Sequence, residues 1–307
     1  MSSMRRRYAT VDVFTDRMFG GNPLAVVLDA EGLSADQMQS VAREFNYSET
    51  TFVLPPEDPA NHAQVRIFTP RSELPFAGHP NVGTAFVLAR ERRGRDPADP
   101  GGLVFEETAG LVPMVVLNQG GVVIGAEFRA PQSLTRGSSV STEAAAACLS
   151  LPPTDVVAAA HPPEVVSVGL PFLVVELASR EALSRSKPDA KAHEALLPLD
   201  GAEGVFAYVR EPAPAPGAAT VLHARMFAPL HGAAEDPATG SATAAAIGLL
   251  ATIESGRPVE RKWRVHQGDD MGRPSVLMGR SVAGQVGAIA VHIGGRCAPV
   301  FEGTIEI

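Results

Sequence analysis

Short alternating runs rich in Val, Ile and Phe recur along the chain, and they predict β-strands. In the first part they are "YATVDVFT" (Tyr8–Thr15), "LAVVL" (Leu24–Leu28), "ETTFVL" (Glu49–Leu54) and "AQVRIFT" (Ala63–Thr69). "LVPMVVL" (Leu111–Leu117) and "GVVIGAEF" (Gly121–Phe128) continue the series. A helix is predicted from Ser34, where "SADQ" offers an N-cap with an acceptor three residues on. Two further helices, "NVGTAFVLAR" (Asn81–Arg90) and "ATAAAIGLLA" (Ala242–Ala251), are apolar on almost every side. Such a helix must be surrounded by protein. Each lies in strand-rich sequence, which predicts two α+β domains with sheets wrapped around a central helix.

The chain also repeats itself. "RIFTP" (Arg66–Pro70) returns as "RMFAP" (Arg225–Pro229), and "ELPFAGH" (Glu73–His79) as "EDPATGS" (Glu235–Ser241). "GNPLAVVL" (Gly21–Leu28) resembles "GLPFLVVEL" (Gly169–Leu177), and "SETTFVL" (Ser48–Leu54) resembles "AEGVFAYV" (Ala202–Val209), aligning Glu49 with Glu203. The four matches keep their order, and their offset drifts only from 148 (Gly21 to Gly169) to 162 (His79 to Ser241). Coincidence among short β-rich strings is the plain alternative, but four ordered matches favour duplication. The expected domains are residues 1–130, with a last strand over 297–307 adding to them, and residues 131–296, joined near "RAPQSLTRGSS" (Arg129–Ser139). "EPAPAPGAA" (Glu211–Ala219) reads as a surface loop.

Composition narrows the class. The chain has 307 residues, 45% hydrophobic and 20% charged, in the ordinary range for a globular protein. Its net charge of -8 repels phosphate backbones and argues against nucleic acid as a partner. No run of about 18 apolar residues suggests a membrane span. The basic "MRRR" is not followed by the apolar stretch of a secretory signal, so a cytoplasmic protein is expected. Cys148 and Cys297 form no disulfide framework or zinc pattern, and the histidines lack metal-ligand spacing.

Chemistry is expected at the two helix starts. Gly78-His79-Pro80 and Gly240-Ser241 each follow a turn, with proline read at the first helical position. Exposed backbone N–H groups and the helix dipole make such starts anion sites, and the two glycines would let a carboxylate approach closely. Pseudo-symmetry would line one cleft with both starts and place a small anionic ligand there. Glu49 stands at a strand start, where partial desolvation would suit it to carry a proton; a solvated connector is the alternative. His79 reads equally as a helix cap, a core imidazole or a ligand-facing group, although a cap role is weak. Asp236 could orient that imidazole, or simply form an Asp-Pro turn, and Ser241 is a good N-cap in its own right. In "HQGDDMGRPS" (His266–Ser275), Gly272, Arg273 and Ser275 suit carboxylate binding, though a plain hairpin loop fits almost as well. Glu106-Glu107 reads as a solvated strand end.

"GNPLAVV", "NYSETTFV", "FTPRSELPFAGHP", "EDPATGSA" and "QGDDMGRPS" together resemble the phenazine-biosynthesis PhzF-like family, along nearly the whole chain. That family shares its duplicated fold with diaminopimelate epimerase and proline racemase. The resemblance implies an α+β fold of two pseudo-symmetric domains, each a mostly antiparallel, barrel-like sheet around a central helix, and frequent homodimers. It implies cofactor-free isomerisation, with Glu49 of "SETTF" as acid/base, His79 and Asp236 assisting, and Ser48 and Ser241 among the substrate-binding groups. In phenazine producers the family's substrate is trans-2,3-dihydro-3-hydroxyanthranilate, other relatives are expected to act on other compounds, and nothing in this sequence identifies a phenazine pathway. Racemases of this fold place a thiol at each helix start, where this chain has His79 and Ser241, so a two-thiol racemase is not expected. A thiol-independent epimerase and a noncatalytic carboxylate- or partner-binding protein remain as alternatives.

Overall fold

The computed structural model describes residues 5–93, 102–212, 215, 217–231, 234–254, 260–284 and 289–307. Part of the loop Glu211–Ala219, and Met4 of "MRRR", lie outside the described residues.

Strands and helices alternate first as β1 (Arg5–Val13), β2 (Asn22–Val27), α1 (Ala35–Phe45), β3 (Glu49–Leu54), β4 (Ala63–Phe68), β5 (Glu73–Leu74) and α2 (Gly78–Arg93). There follow β6 (Gly102–Glu107), β7 (Gly110–Gln119), β8 (Val122–Arg129), β9 (Thr135–Ser139), α3 (Thr142–Cys148), β10 (Val156–Val157), β11 (Glu164–Ser167) and β12 (Pro171–Leu177). The last part holds α4 (Arg180–Arg185), α5 (Ala190–Leu196), β13 (Val205–Arg210), β14 (Thr220–Phe227), β15 (Glu235–Asp236), α6 (Gly240–Ile253), β16 (Glu260–Gln267), β17 (Ser275–Ala283) and β18 (Ile289–Glu306). Two compact units divide the chain, one of Met1–Arg129 with Gly294–Ile307 and one of Ala130–Ile293. The boundary falls inside β18.

In the first unit the sheet closes on itself. β1 pairs with β2, β2 runs parallel to β3, β3 is antiparallel to β4, and β4 runs parallel to β6. β6–β7–β8 then form a meander, and β18 joins β8 back to β1, giving a barrel of eight strands. α2 touches β1, β2, β3, β7 and β8, so it is the barrel's central helix. Val82, Ala85, Phe86, Val87 and Ala89 are buried, as an all-round apolar helix requires. Gly83 brings the helix close: a Cβ there would sit 2.5 Å from Leu24 Cδ2 and 2.8 Å from Val13 Cγ2. Polar groups on the same helix are paired inward, Thr84 Oγ1 lying 2.8 Å from Thr51 Oγ1 of β3. Outside the sheet, α1 lays Met38 and Ala42 against Val27, Phe52 and Phe68. Its predicted start is confirmed: Ser34 accepts from the Gln37 N–H, and the Gln37 side chain accepts from the Ser34 N–H.

The second unit repeats the pairing pattern. β12 runs parallel to β13, β13 is antiparallel to β14, β14 runs parallel to β16, and β16 is antiparallel to β17. α6 is its central helix, buried at Gly240 and from Ala242 to Leu250. On the outer side α3 and α4 contribute Ala145, Ala146, Ala182 and Leu183 to a cluster with Leu173, Val175, Val205 and Ala207. Cys148 is buried there as packing.

The duplicated arginines prove to be structural. Arg66 grips Glu73 through Nε and Nη2, both at 2.7 Å, and Arg225 grips Glu235 in the same way at the same distances. Each guanidinium also lies over the phenylalanine two residues on, Phe68 or Phe227.

Three details of the sequence reading need correction. Strand pairing places Thr50 opposite Phe68 and Val205 opposite Phe227. Because Phe68 and Phe227 are matched repeat positions, Glu49 corresponds to Gly204 and not to Glu203. The carboxylate match misled by one residue, which in a strand means the opposite face. A Cβ on Gly204 would require the Met226 methyl to move and would lie 3.0 Å from Phe227 O, so the site is tight for a side chain. Pro80 is the third residue of α2 and not the first, because the helix already begins at Gly78. Ser241 is not the cap of α6: Thr239 holds that position, with extended dihedrals (φ -113, ψ 93), and Ser241 lies inside the first turn. Among the described residues no helix is long and apolar enough to cross a membrane.

Candidate active site

β2, β3 and the start of α2 bring four polar side chains together. Glu49 opens β3 directly beside β2, opposite Leu24, and His79 is the second residue of the central helix. Glu49 Oε2 lies 3.2 Å from His79 Nε2. The imidazole is nearly buried, and the carboxylate keeps 17% of its side-chain surface exposed. Asn22, fully buried at the start of β2, reaches His79 from the other side, its Nδ2 lying 3.3 Å from His79 Nδ1. Ser48 Oγ donates to Asn22 Oδ1 at 3.3 Å.

These contacts fix the protonation pattern. With Asn22 Oδ1 accepting from Ser48, its amide nitrogen faces His79 and donates to Nδ1. The neutral imidazole then carries its proton on Nε2, toward Glu49. Burial pushes the His79 pKa down to about 3, so the ring is uncharged at neutral pH. At this separation Glu49 and His79 can share a proton or a substrate group, while the angle falls short of a closed hydrogen bond. Gly78 is buried at the helix start, where the first backbone N–H groups have no intrahelical acceptor.

In the second unit the matching turn is held by other means. Asp236 Oδ2 accepts from Thr239 Oγ1 at 2.5 Å. Gln267 Nε2 donates to Asp236 O (2.8 Å) and to Thr239 Oγ1 (3.1 Å), while its Oε1 accepts from the Thr239 N–H (3.1 Å). Gly240 is buried and Ser241 is partly exposed. The Gly-rich turn after β16 is tightly organised: Gly268 and Gly272 adopt positive φ (80° and 70°) around a 3-10 turn. A Cβ on Gly268 would lie 2.6 Å from Pro237 O, so this turn supports the Asp236 turn. The Gly272 N–H donates to Asp269 O (3.1 Å), and the buried Ser275 hydroxyl donates to Arg273 O (3.0 Å). Those two groups hold the turn's own shape.

Of the sequence candidates, Ser48, Glu49, Gly78 and His79 belong to one unit, and Asp236, Gly240, Ser241, Gly272, Arg273 and Ser275 to the other. Two residues joined to these groups escaped the sequence reading, Asn22 and Gln267. Asn22 had a usable signal: within "GNPLAVVL" it matches Leu170 of "GLPFLVVEL", a polar residue against an apolar one in an otherwise similar block. Glu107 escaped as well. It is not a solvated strand end: burial lifts its carboxyl to about 8. Its neighbour Glu106 points to the other face and accepts from the Glu57 and Asp58 N–H groups and from Asn61.

Comparison with known proteins fits this geometry. The model of the family described as phenazine biosynthesis-like protein matches residues 11–303. An uncharacterized isomerase of Mesorhizobium japonicum is 40% identical over 98% of this chain and 99% of its own length. The trans-2,3-dihydro-3-hydroxyanthranilate isomerase of Pseudomonas aeruginosa is 36% identical over 97% of this chain and 98% of its own. Among solved structures, a phenazine biosynthesis protein of the PhzF family from Bacillus anthracis superposes with a TM-score of 0.85 at 25% identity, covering 99% of this chain and 100% of that one. The chain therefore belongs to the phenazine biosynthesis-like family and is one of its isomerases.

Proposed function

We propose that the protein moves a proton between two carbons of a small carboxylate-bearing substrate resembling trans-2,3-dihydro-3-hydroxyanthranilate, with Glu49 as the acid/base and no cofactor. The carrying observation is the pair formed by Glu49 Oε2 and His79 Nε2 at 3.2 Å, with the imidazole held neutral by burial and oriented by Asn22. A carboxylate beside a fixed N–H donor can accept a proton from carbon, be stabilised as it does so, and return it elsewhere.

One such base is present per chain. Gly204 and Ser241 stand at the positions of Glu49 and His79 in the second unit, and neither has a carboxylate or an imidazole. A single base that removes and redelivers the proton on one face suits an allylic shift better than inversion, which needs a group on each face. Cys148 does not alter this, because it is buried and burial raises its thiol to about 11. Burial raises the thiol of Cys297 further still. Asp236, Ser48 and Ser241 are proposed to hold the substrate's amino, hydroxyl or carboxylate groups. The N–H groups at Gly78 and Gly240, with Arg273 beside the second turn, are proposed to supply anion binding, whereas Gly272 and Ser275 serve to shape that turn.

Incubation with candidate cyclohexadiene carboxylates in deuterated water tests the reading. Deuterium is expected at carbon with the native protein and not with Glu49→Gln. Incorporation that survives Glu49→Gln would overturn the assignment. Interconversion of amino-acid enantiomers insensitive to that substitution would favour an epimerase.

A further inference from the structure

Strand register identifies a second pair of matched positions. Gln64 of β4 faces Glu106 of β6, and His223 of β14 faces His266 of β16. Gln64 and His223 each stand two residues before the matched arginines, Arg66 and Arg225. Glu107 and Gln267 are therefore equivalent, the last residue of each parallel strand. The Gln267 carboxamide uses both its donor and its acceptor to fasten the turn that leads into α6.

Glu107 ends β6 as Gln267 ends β16. The turn after it is fastened to the α2 approach by the Ala109 N–H donating to Pro75 O at 3.1 Å. Asn81, fully buried in the first turn of α2 and two residues after His79, is the side chain that acts on the Glu107 carboxyl. In the geometry observed, both oxygens of Glu107 and both polar atoms of Asn81 are buried without a closed hydrogen bond. Leaving buried polar groups unsatisfied is unfavourable. A protonated carboxyl can satisfy all of them at once, its O–H donating to Asn81 Oδ1 and its carbonyl accepting from Asn81 Nδ2. A carboxylate cannot, because it has no donor for Asn81 Oδ1.

We propose that Glu107 is a positioning residue, holding the first turn of α2 and with it the His79 imidazole through a reciprocal pair with Asn81, as Gln267 holds the turn before α6. Burial is the reason the carboxyl stays protonated through neutral pH, its pKa raised to about 8 against the opposing pull of Asn81. The groove it borders is lined by Glu57, Asp58, Arg66, Glu73 and Glu106. Four carboxylates there disfavour a further negative charge, and Arg66 is already engaged with Glu73. On the helix side the titratable group in the same turn is His79, uncharged across this range. Ionisation of Glu107 thus breaks the pair and releases the turn that carries His79. The catalytic consequence rests on the isomerase reading of Glu49 and His79, whereas the structural link does not.

NMR provides the test. In protein labelled with 13C at the glutamate carboxyl and the histidine ring, Glu107 is expected to titrate near pH 8, and His79 Cε1 to shift with the same midpoint. Glu107→Gln should abolish the His79 inflection while keeping the ring in its low-pH environment. With a turned-over substrate, the alkaline fall in kcat/KM should disappear in the same variant. A Glu107 carboxyl titrating in the ordinary range near 4–5 would overturn the proposal. So would a His79 signal flat through pH 7–9, or an inflection that persists in Glu107→Gln. Absence of turnover on every substrate would count against the isomerase reading alone, since the spectra decide this proposal without a substrate.

Discussion

Gly204 occupies in the second unit the strand position that Glu49 occupies in the first, where the Met226 methyl and Phe227 O crowd the space a side chain would take. Glu49, the proposed acid/base, therefore has no carboxylate counterpart at the matching position of the second unit. Glu49→Gln is expected to lower kcat about 10²- to 10⁴-fold with little change in folding, read from steady-state kinetics beside a thermal melt. Gly204→Glu should destabilise the protein and give no new activity.

Asn22 holds the imidazole in the tautomer that faces its proton toward Glu49. Asn22→Leu, which copies Leu170 of the second half, removes that control without a large change in volume. The expected loss is about three- to tenfold in kcat, with KM little altered, as for one neutral hydrogen bond. A matching loss in Ser48→Ala, smaller in size, would trace the chain from hydroxyl to amide to ring.

Stability should have an optimum on the acid side of neutrality. The folded pKa of His79, about 3, lies below its unfolded value of 6.5, so its contribution is present above pH 6.5 and lost as pH falls toward 3. Glu107 has the opposite sign: its folded value of about 8 exceeds 4.5 unfolded, so its contribution is present below pH 4.5 and lost as pH rises through 8. Between 4.5 and 6.5 the two slopes cancel, each being at most about 1.4 kcal/mol per pH unit. Denaturant titrations from pH 5 to 9 should show a decline above 6.5 that Glu107→Gln removes.

The two arginine clasps should differ in weight despite equal bond lengths. Arg225 is 11% exposed and its Nη1 also donates to Leu183 O, Ser184 O and Ser186 O, whereas Arg66 is 28% exposed. Arg225→Ala is expected to cost about 3–5 kcal/mol, and Arg66→Ala about 1 kcal/mol or less. Parallel urea titrations measure both.

Gly83→Ala introduces a methyl group into the contact between α2 and the Leu24–Val13 wall. The overpacking is expected to cost about 1–3 kcal/mol, seen as a lower urea midpoint at unchanged slope. The helix would gain intrinsic propensity from the same change, so a net stabilisation would show that the wall yields.

The fold was legible because duplicated blocks carry their own register marks. "RIFTP" and "RMFAP" fix matching strands, and the all-round apolar runs after His79 and Ser241 name the two central helices. Less of the site could be read. Glu49 and His79 stood out by motif and Asn22 was marked only by its mismatch with Leu170, but Glu107 and Gln267 act through which residue faces which across a parallel pair, and no local pattern encodes that. The same limit produced the match of Glu49 with Glu203. Like charge outweighed strand phase, and only hydrogen-bonded pairing corrects it.

β18 gives the first unit its eighth strand from residues 294–306, pairing with β1 and β8 at once. During synthesis this barrel cannot close while the ribosome still holds those residues, although its other strands end by Arg129. Until β18 docks, β1 and β8 each keep one unpaired edge, and the half-built barrel is exposed to edge-to-edge pairing with another chain.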